Sequence, residues 1–192
     1  MPPKSKISKE EIILSAIEMI RESGMQSINA RALAAKLGTS TQPIFSNFSS
    51  MDALLFAVLD RANDIFESFR KKELESGKYP AYKASGMAYI RFAKEEKELF
   101  SLLYMRNREN ESLYKEAHLN DEMESEVQKN TGIEKEKAKL FHLEMWAFVH
   151  GIASMLTTGF VELEFDLVSH MLTDAYLGLK KQYEEVDLDG SH

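Results

Sequence analysis

The stretch LGTSTQPIFSNF, Leu37 to Phe48, decides the fold. Gly38 follows an apolar set at Ala30, Leu33, Ala34 and Leu37, spaced i, i+3, i+4, i+7, and reads as the left-handed stop of a short helix capped by Asn29. A further helix then opens at Ser40. Pro43 falls in its first turn, where a missing N–H costs nothing, and Ile44 and Phe48 supply its buried side. Upstream, Ser8 and Glu11 form a capping box for a first helix whose Ile12, Ile13, Ala16, Ile17 and Ile20 recur on one face until Gly24. Three helices ahead of Ser49, the last two joined by a tight turn, make a tri-helical unit of an outline that many small helical bundles share.

Downstream, Ser49 or Ser50 caps a long helix from Met51 to about Lys72, with a broad apolar stripe of Leu54, Leu55, Val58, Leu59, Ala62, Ile65, Phe66 and Phe69. Gly77 to Pro80 breaks it. An aromatic helix starts at Pro80, a short one covers Leu99 to Tyr104, and a charge-rich one runs from Glu109 to Asn130 until Gly132. Two more apolar helices follow, roughly Glu134 to Thr158 and Glu164 to Tyr183, with Gly159 between them. No apolar run alternates with period two, so the chain is predicted to be all-α, with about nine helices. The spacing predicts a tri-helical head over residues 1–50, a larger helical domain over 51–183, and a disordered polar tail over 184–192.

Composition narrows the function. The chain has 192 residues, 44% of them hydrophobic, enough to bury real cores. It has no cysteine, which removes disulfides, thiolate metal sites and cysteine nucleophiles. Without a signal-peptide pattern or an apolar run long enough to span a bilayer, a cytoplasmic home with no membrane partner is expected. The net charge of −7 is unevenly spread. Residues 1–50 hold six basic groups (Lys4, Lys6, Lys9, Arg21, Arg31, Lys36) against four acids, so the head carries +2 and the remainder −9. A basic head before an acidic body suits a polyanion bound at one end only.

Leu37 to Phe48 resembles the turn and recognition helix of TetR-family repressors. Gly24 to Ala34 (GMQSINARALA) resembles the family's loop into its second helix, with Arg31 where members often carry a DNA-contacting arginine, and Ala53, Leu54 and Leu55 resemble the start of its connecting helix. Tyr89 to Ala93, Glu98 to Phe100, and Trp146 to Gly151 (WAFVHG) are similar to a regulatory-domain class marked by a Trp-His-Gly pattern. The chain departs from the family at Phe45, often tyrosine, and at Met51, often lysine. Both departures remove a phosphate contact, for which Lys4, Lys6 and Lys9 offer replacement charge.

The resemblance implies a homodimer on double-stranded operator DNA, most simply a repressor released by a small apolar or aromatic effector. Arg31, Ser40, Thr41, Gln42, Pro43, Phe45, Ser46 and Asn47 are the expected DNA contacts. Gln42 suits adenine N6 and N7, Arg31 guanine O6 and N7, and Thr41 a thymine methyl. Ser40 at a helix start suits a phosphate, and Phe45 and Asn47 suit sugar or phosphate. Residue by residue, Ser40 as a mere cap and Phe45 as a core side chain are competing readings.

Effector contacts are expected among Phe66, Tyr89, Phe92, Phe100, Tyr104, Trp146 and His150, although plain packing competes at each. The last two helices carry more apolar surface than one inward face can hold. That predicts a dimer interface through Phe148, Ile152, Met155, Val168, Met171, Leu172 and Leu179. His142, Glu144 and His150 lack metal-ligand spacing, so no metal and no cofactor are expected. No nucleotide loop, nucleophile elbow or carboxylate pair points to an enzyme. An effector-independent DNA protein, or a carrier or enzyme on a helical bundle, remain the alternatives.

Overall fold

In the computed structural model, residues 7–107 and 121–189 are described, without the side chains of residues 121–122 and 185–189. Among them every regular element is helical: α1 (Lys9–Ser23), α2 (Ala30–Lys36), α3 (Gln42–Asn47), α4 (Met51–Glu75), α5 (Ala81–Glu95), α6 (Lys97–Phe100), α7 (Asp121–Thr131), α8 (Lys135–Thr157) and α9 (Phe165–Asp189). The all-α reading holds, and no helix is long and apolar enough to cross a membrane among the described residues. The chain divides into two compact units, one of residues 1–68 and 95–106, the other of 69–94 and 107–192.

The first unit is built on α1. Its capping box forms as the sequence requires: Glu11 N donates to Ser8 Oγ (3.2 Å) and Ser8 N to the Glu11 carboxylate (2.7 Å). The Ser8 N–H and the Ser8 hydroxyl, which both donate to the Glu11 carboxylate, hold that carboxyl below its ordinary range. Ile12, Ala16, Ile17 and Ile20 are buried, and α1 packs on α2, α3 and α6. Gly24 ends it at φ 74°, a conformation that a side chain resists. Asn29 Oδ1 caps α2 by accepting from Ala32 N (3.0 Å), and Gly38, at φ 63°, turns the chain into α3. Ser50 caps α4, its Oγ accepting from Ala53 N (3.1 Å).

The second unit holds the last turns of α4 with α5, α7, α8 and α9. Phe69 meets Phe92 edge to face (5.5 Å), and Arg91 Nε donates to the buried Glu73 carboxylate (2.8 Å). α7 and α9 both pack against α8. Val127, Ile133, Ala138, Phe141 and Met145 form a core that Tyr82, Tyr176 and Tyr183 cover.

Several boundaries differ from the sequence reading. The third helix begins at Gln42 rather than Ser40, because Thr41 takes the cap position and Ser40 Oγ accepts only a long bond from Gln42 N (3.4 Å). The short helix at Leu99 starts two residues earlier and widens into a π-type turn over Ser101–Met105. Residues 108–120 of the expected charge-rich helix lie outside the described residues, and α7 begins at Asp121. The tail expected to be disordered from Glu184 is helical through Asp189, since α9 continues past Tyr183 without a breaker. Residues 190–192 lie outside the description.

Candidate nucleic-acid interface

α3 is a six-residue helix with two chemically distinct sides. Ile44 and the following Phe48 are buried in the first unit. Gln42, Phe45 and Ser46, spaced i, i+3, i+4, share the opposite, exposed side. Phe45 is 50% exposed, so it is not a core side chain. The Gln42 amide is hydrogen-bonded to none of the described residues and keeps both donors and its acceptor for a base edge. Ser46 Oγ donates to Gln42 O (2.9 Å), which leaves its lone pairs for an amine donor rather than a hydrogen for phosphate. Thr41 and Pro43 are half-buried, whereas Ser40 and, on α2, Arg31 are exposed.

Asn47 is held from within the protein. Its Nδ2 donates to Pro43 O (2.8 Å) and to Ile7 O (3.3 Å), so both amide hydrogens are engaged within the protein. Sequence spacing carries no sign of this, because Ile7 lies forty residues upstream.

The charge of the head is also redistributed. Arg21 grips Glu96 through two bonds (2.9 and 2.6 Å), and Lys36 bridges Glu22 (3.1 Å) and Glu18 (3.5 Å). These carboxylates raise the affinity of Arg21 and Lys36 for their protons. The Lys9 ammonium sits 5.1 Å from the Phe48 ring centre. Among the described residues of the head, Arg31 alone is a cation with neither an acidic nor an aromatic partner. Lys4 and Lys6 lie outside the description.

The seven candidate effector contacts fall into two groups. In the first unit, Phe100 is fully buried and Tyr104 meets it (5.2 Å) and Phe66 (6.1 Å). In the second unit, Tyr89 OH and His150 Nδ1 share a hydrogen bond (2.9 Å), and Trp146 stacks on the His150 ring at 5.0 Å. His150 bonds a neighbour, as expected of a packed histidine, and burial lowers its pKa. Phe92 has no exposed surface and packs on Phe69, which is a core position.

The interface candidates also divide. Ile152, Val168 and Leu172 are buried within the single chain, so their side chains belong to its own core. Met155, Met171 and Leu179 are half-buried and Phe148 is exposed. Among the described residues, the large exposed apolar side chains of α8 and α9 are Leu140, Leu143, Phe148, Leu167 and Leu177, with Phe160 in the turn between them. Groups of three or more His, Asp or Glu able to hold a metal do not occur among the described residues.

Residues 12–58 match the family model described as bacterial regulatory proteins, tetR family. No curated protein matches the chain. Of solved structures, a TetR-like transcriptional regulator from Rhodococcus sp. RHA1 is similar at 16% identity and a TM-score of 0.67, covering 88% of this chain and 93% of its own. A protein of unknown function from Rhodococcus sp. RHA1 is similar at 21% identity and a TM-score of 0.72, covering 95% of this chain and 99% of its own. At these identities the likeness is one of fold, extending over nearly the whole chain.

Proposed function

We propose that this chain, a TetR-family transcriptional regulator by the reading head at residues 12–58, works as a homodimer that represses a palindromic operator and releases it on binding a small apolar or aromatic molecule. The observation that carries the DNA-binding part is the exposed side of α3, where Gln42, Phe45 and Ser46 face solvent from a helix whose other side is locked into the core. In a helix-turn-helix the second helix of the motif enters the major groove, and a side chain with a free amide is what an adenine edge recognises. Binding-site selection from a random duplex library with the purified protein tests the reading. An enriched inverted repeat is expected, and recovery of no motif would overturn it.

Dimerisation follows from the length of the site. One reading helix covers too few base pairs for specificity, so a two-fold partner must place a second about 34 Å away. The exposed leucines of α8 and α9, with Phe148, support those helices as the interface. Two glycines add weight. Gly151 in α8 and Gly178 in α9 are exposed and interior to their helices, where glycine costs about 1 kcal/mol relative to alanine. Beyond the backbone of its own helix, a Cβ on either would meet no atom of the described residues within 4 Å, so packing among those residues does not account for them. Close approach of a partner helix would.

The effector reading rests on the two aromatic groups. Tyr89, Trp146 and His150 offer stacking surface with a polar tip, and Phe66 with Tyr104 offers apolar surface. α4 is common to both units, and an element shared in this way is suited to carry a change from one to the other.

A further inference from the structure

The outward side of α9 carries a pattern of its own. Leu167, His170, Asp174 and Leu177 all face solvent and lie on one stripe of the helix, on the side away from the buried Val168 and Leu172. Among the described residues neither His170 nor Asp174 takes part in a hydrogen bond or ion pair, although they sit one turn apart. The stripe is symmetric in position and complementary in chemistry about the level of Leu172, where Leu167 answers Leu177 and His170 answers Asp174. A two-fold axis makes residue i meet j while j meets i. With that axis crossing α9 level with Leu172, a second α9 laid antiparallel on the stripe sets leucine on leucine and imidazole on carboxylate, each twice. Other placements bring like groups together. An axis level with Asp174 opposes the two carboxylates, one level with His170 sets Asp174 against Asp166, and a parallel pair brings each group to its own copy. Gly178, beside Leu177 on the same face, leaves room for the approach.

We propose that a second copy of this chain docks antiparallel on α9 about the level of Leu172, and that His170 and Asp174, paired twice across the interface, fix its register and restrict the partner to this chain. The proposal rests on the dimer through α8 and α9 put forward above and adds how that dimer selects its partner. The leucine pairs alone would accept any helix with a similar apolar face. A carboxylate covered without a hydrogen-bonding partner is penalised, so a helix lacking an imidazole one turn before its own carboxylate is rejected. A polar pair within an apolar seam fixes register at some cost in stability.

The test uses the full chain, whose lack of cysteine lets introduced thiols report the register. Oxidation of the double variant Leu167→Cys, Leu177→Cys should give a covalent dimer on a non-reducing gel. Each single variant should stay uncrosslinked, since its thiol faces a leucine, and within one chain the two positions are about 15 Å apart, too far to bridge. By sedimentation, His170→Asp and Asp174→His should each weaken the dimer by about tenfold or more. An equimolar mixture of the two should recover wild-type affinity, because every carboxylate again meets an imidazole. Circular dichroism should show all these variants folded, as neither polar side chain is bonded within the protomer. Crosslinking of Leu177→Cys alone would overturn the register, and wild-type affinity in both polar single variants would overturn the pair. A wild-type chain that stays monomeric, or a dimer that survives Leu177→Glu, would instead remove the dimer reading, and the proposal with it.

Discussion

Gln42 and Asn47 are both amide-bearing residues of α3, and the difference between them is set by what else each amide can reach. The Gln42 amide has no described partner, so truncating it removes nothing inside the fold. Gln42→Ala is expected to relax base preference at one position of each half-site by about 1 to 3 kcal/mol while leaving helicity intact, measured by competition between operator variants. The sequence showed Gln42 correctly as an outward residue because its exposure follows from helical spacing within a few positions. The bond of Asn47 to Ile7 O was not legible, because that partner lies forty residues upstream. His142 makes a second prediction at this scale. It is buried and hydrogen-bonded to Tyr82 OH (3.0 Å), and burial holds its pKa below the ordinary 6.5, a shift that the charge of Glu124 opposes. The unfolded chain therefore takes up this proton more readily, so the stability contribution is whole above pH 6.5 and is lost as pH falls through and below it. The unfolding free energy from urea titration should drop between pH 7 and 5.5 by up to about 1.4 kcal/mol per pH unit for this one histidine. His142→Gln should flatten that slope, and an unchanged pH dependence in the variant would assign the effect to another group.

Among the helices, legibility followed punctuation. Ser8, Asn29, Gly24, Gly38, Gly132 and Gly159 each mark a boundary that the structure keeps, because a cap or a positive φ is a local requirement that few residues meet. The expected boundary of α9 at Glu184 carries no such residue, and the helix runs on to Asp189. Which face of α9 points inward was equally illegible. Apolar residues occupy both sides of the helix, and periodicity alone does not rank Val168 and Leu172 above Leu167 and Leu177. Packing against α8 decides it, with Leu172 3% and Leu177 55% exposed. The two positions now make opposite predictions. Leu172→Glu buries an unpaired carboxylate in the core and should destabilise the protomer by about 3 kcal/mol or more, with loss of the cooperative thermal transition at its normal temperature. Leu177→Glu should leave the protomer folded and split the dimer, because a two-fold axis sets each new charge into the partner's apolar face. Light scattering and circular dichroism on the pair separate the outcomes. A dimer that survives Leu177→Glu places the interface elsewhere.

For the whole molecule, the proposal that an effector controls the operator has a strict thermodynamic form. If a ligand weakens DNA binding by some factor, DNA must weaken ligand binding by the same factor, commonly equivalent to about 1 to 3 kcal/mol. Calorimetric titration of an apolar aromatic compound into free protein and into the operator complex should therefore give two affinities whose ratio matches the drop in operator affinity at saturating compound. Identical affinities would rule out the switch. The two aromatic groups can be told apart in the same experiment. Trp146 and Tyr104 are half-buried and can lose their rings with modest cost to the fold, whereas Phe92 fills the core and its removal would cost about 3 to 5 kcal/mol of stability whatever the ligand does. Trp146→Ala should weaken the compound at least tenfold and leave operator affinity near wild type if the Tyr89–His150 group is the contact. Tyr104→Ala should do so if the Phe66 group is. Both variants retaining the full ligand response would mean that neither group touches the effector, and the ligand part of the proposed function would then have lost the residues it rests on.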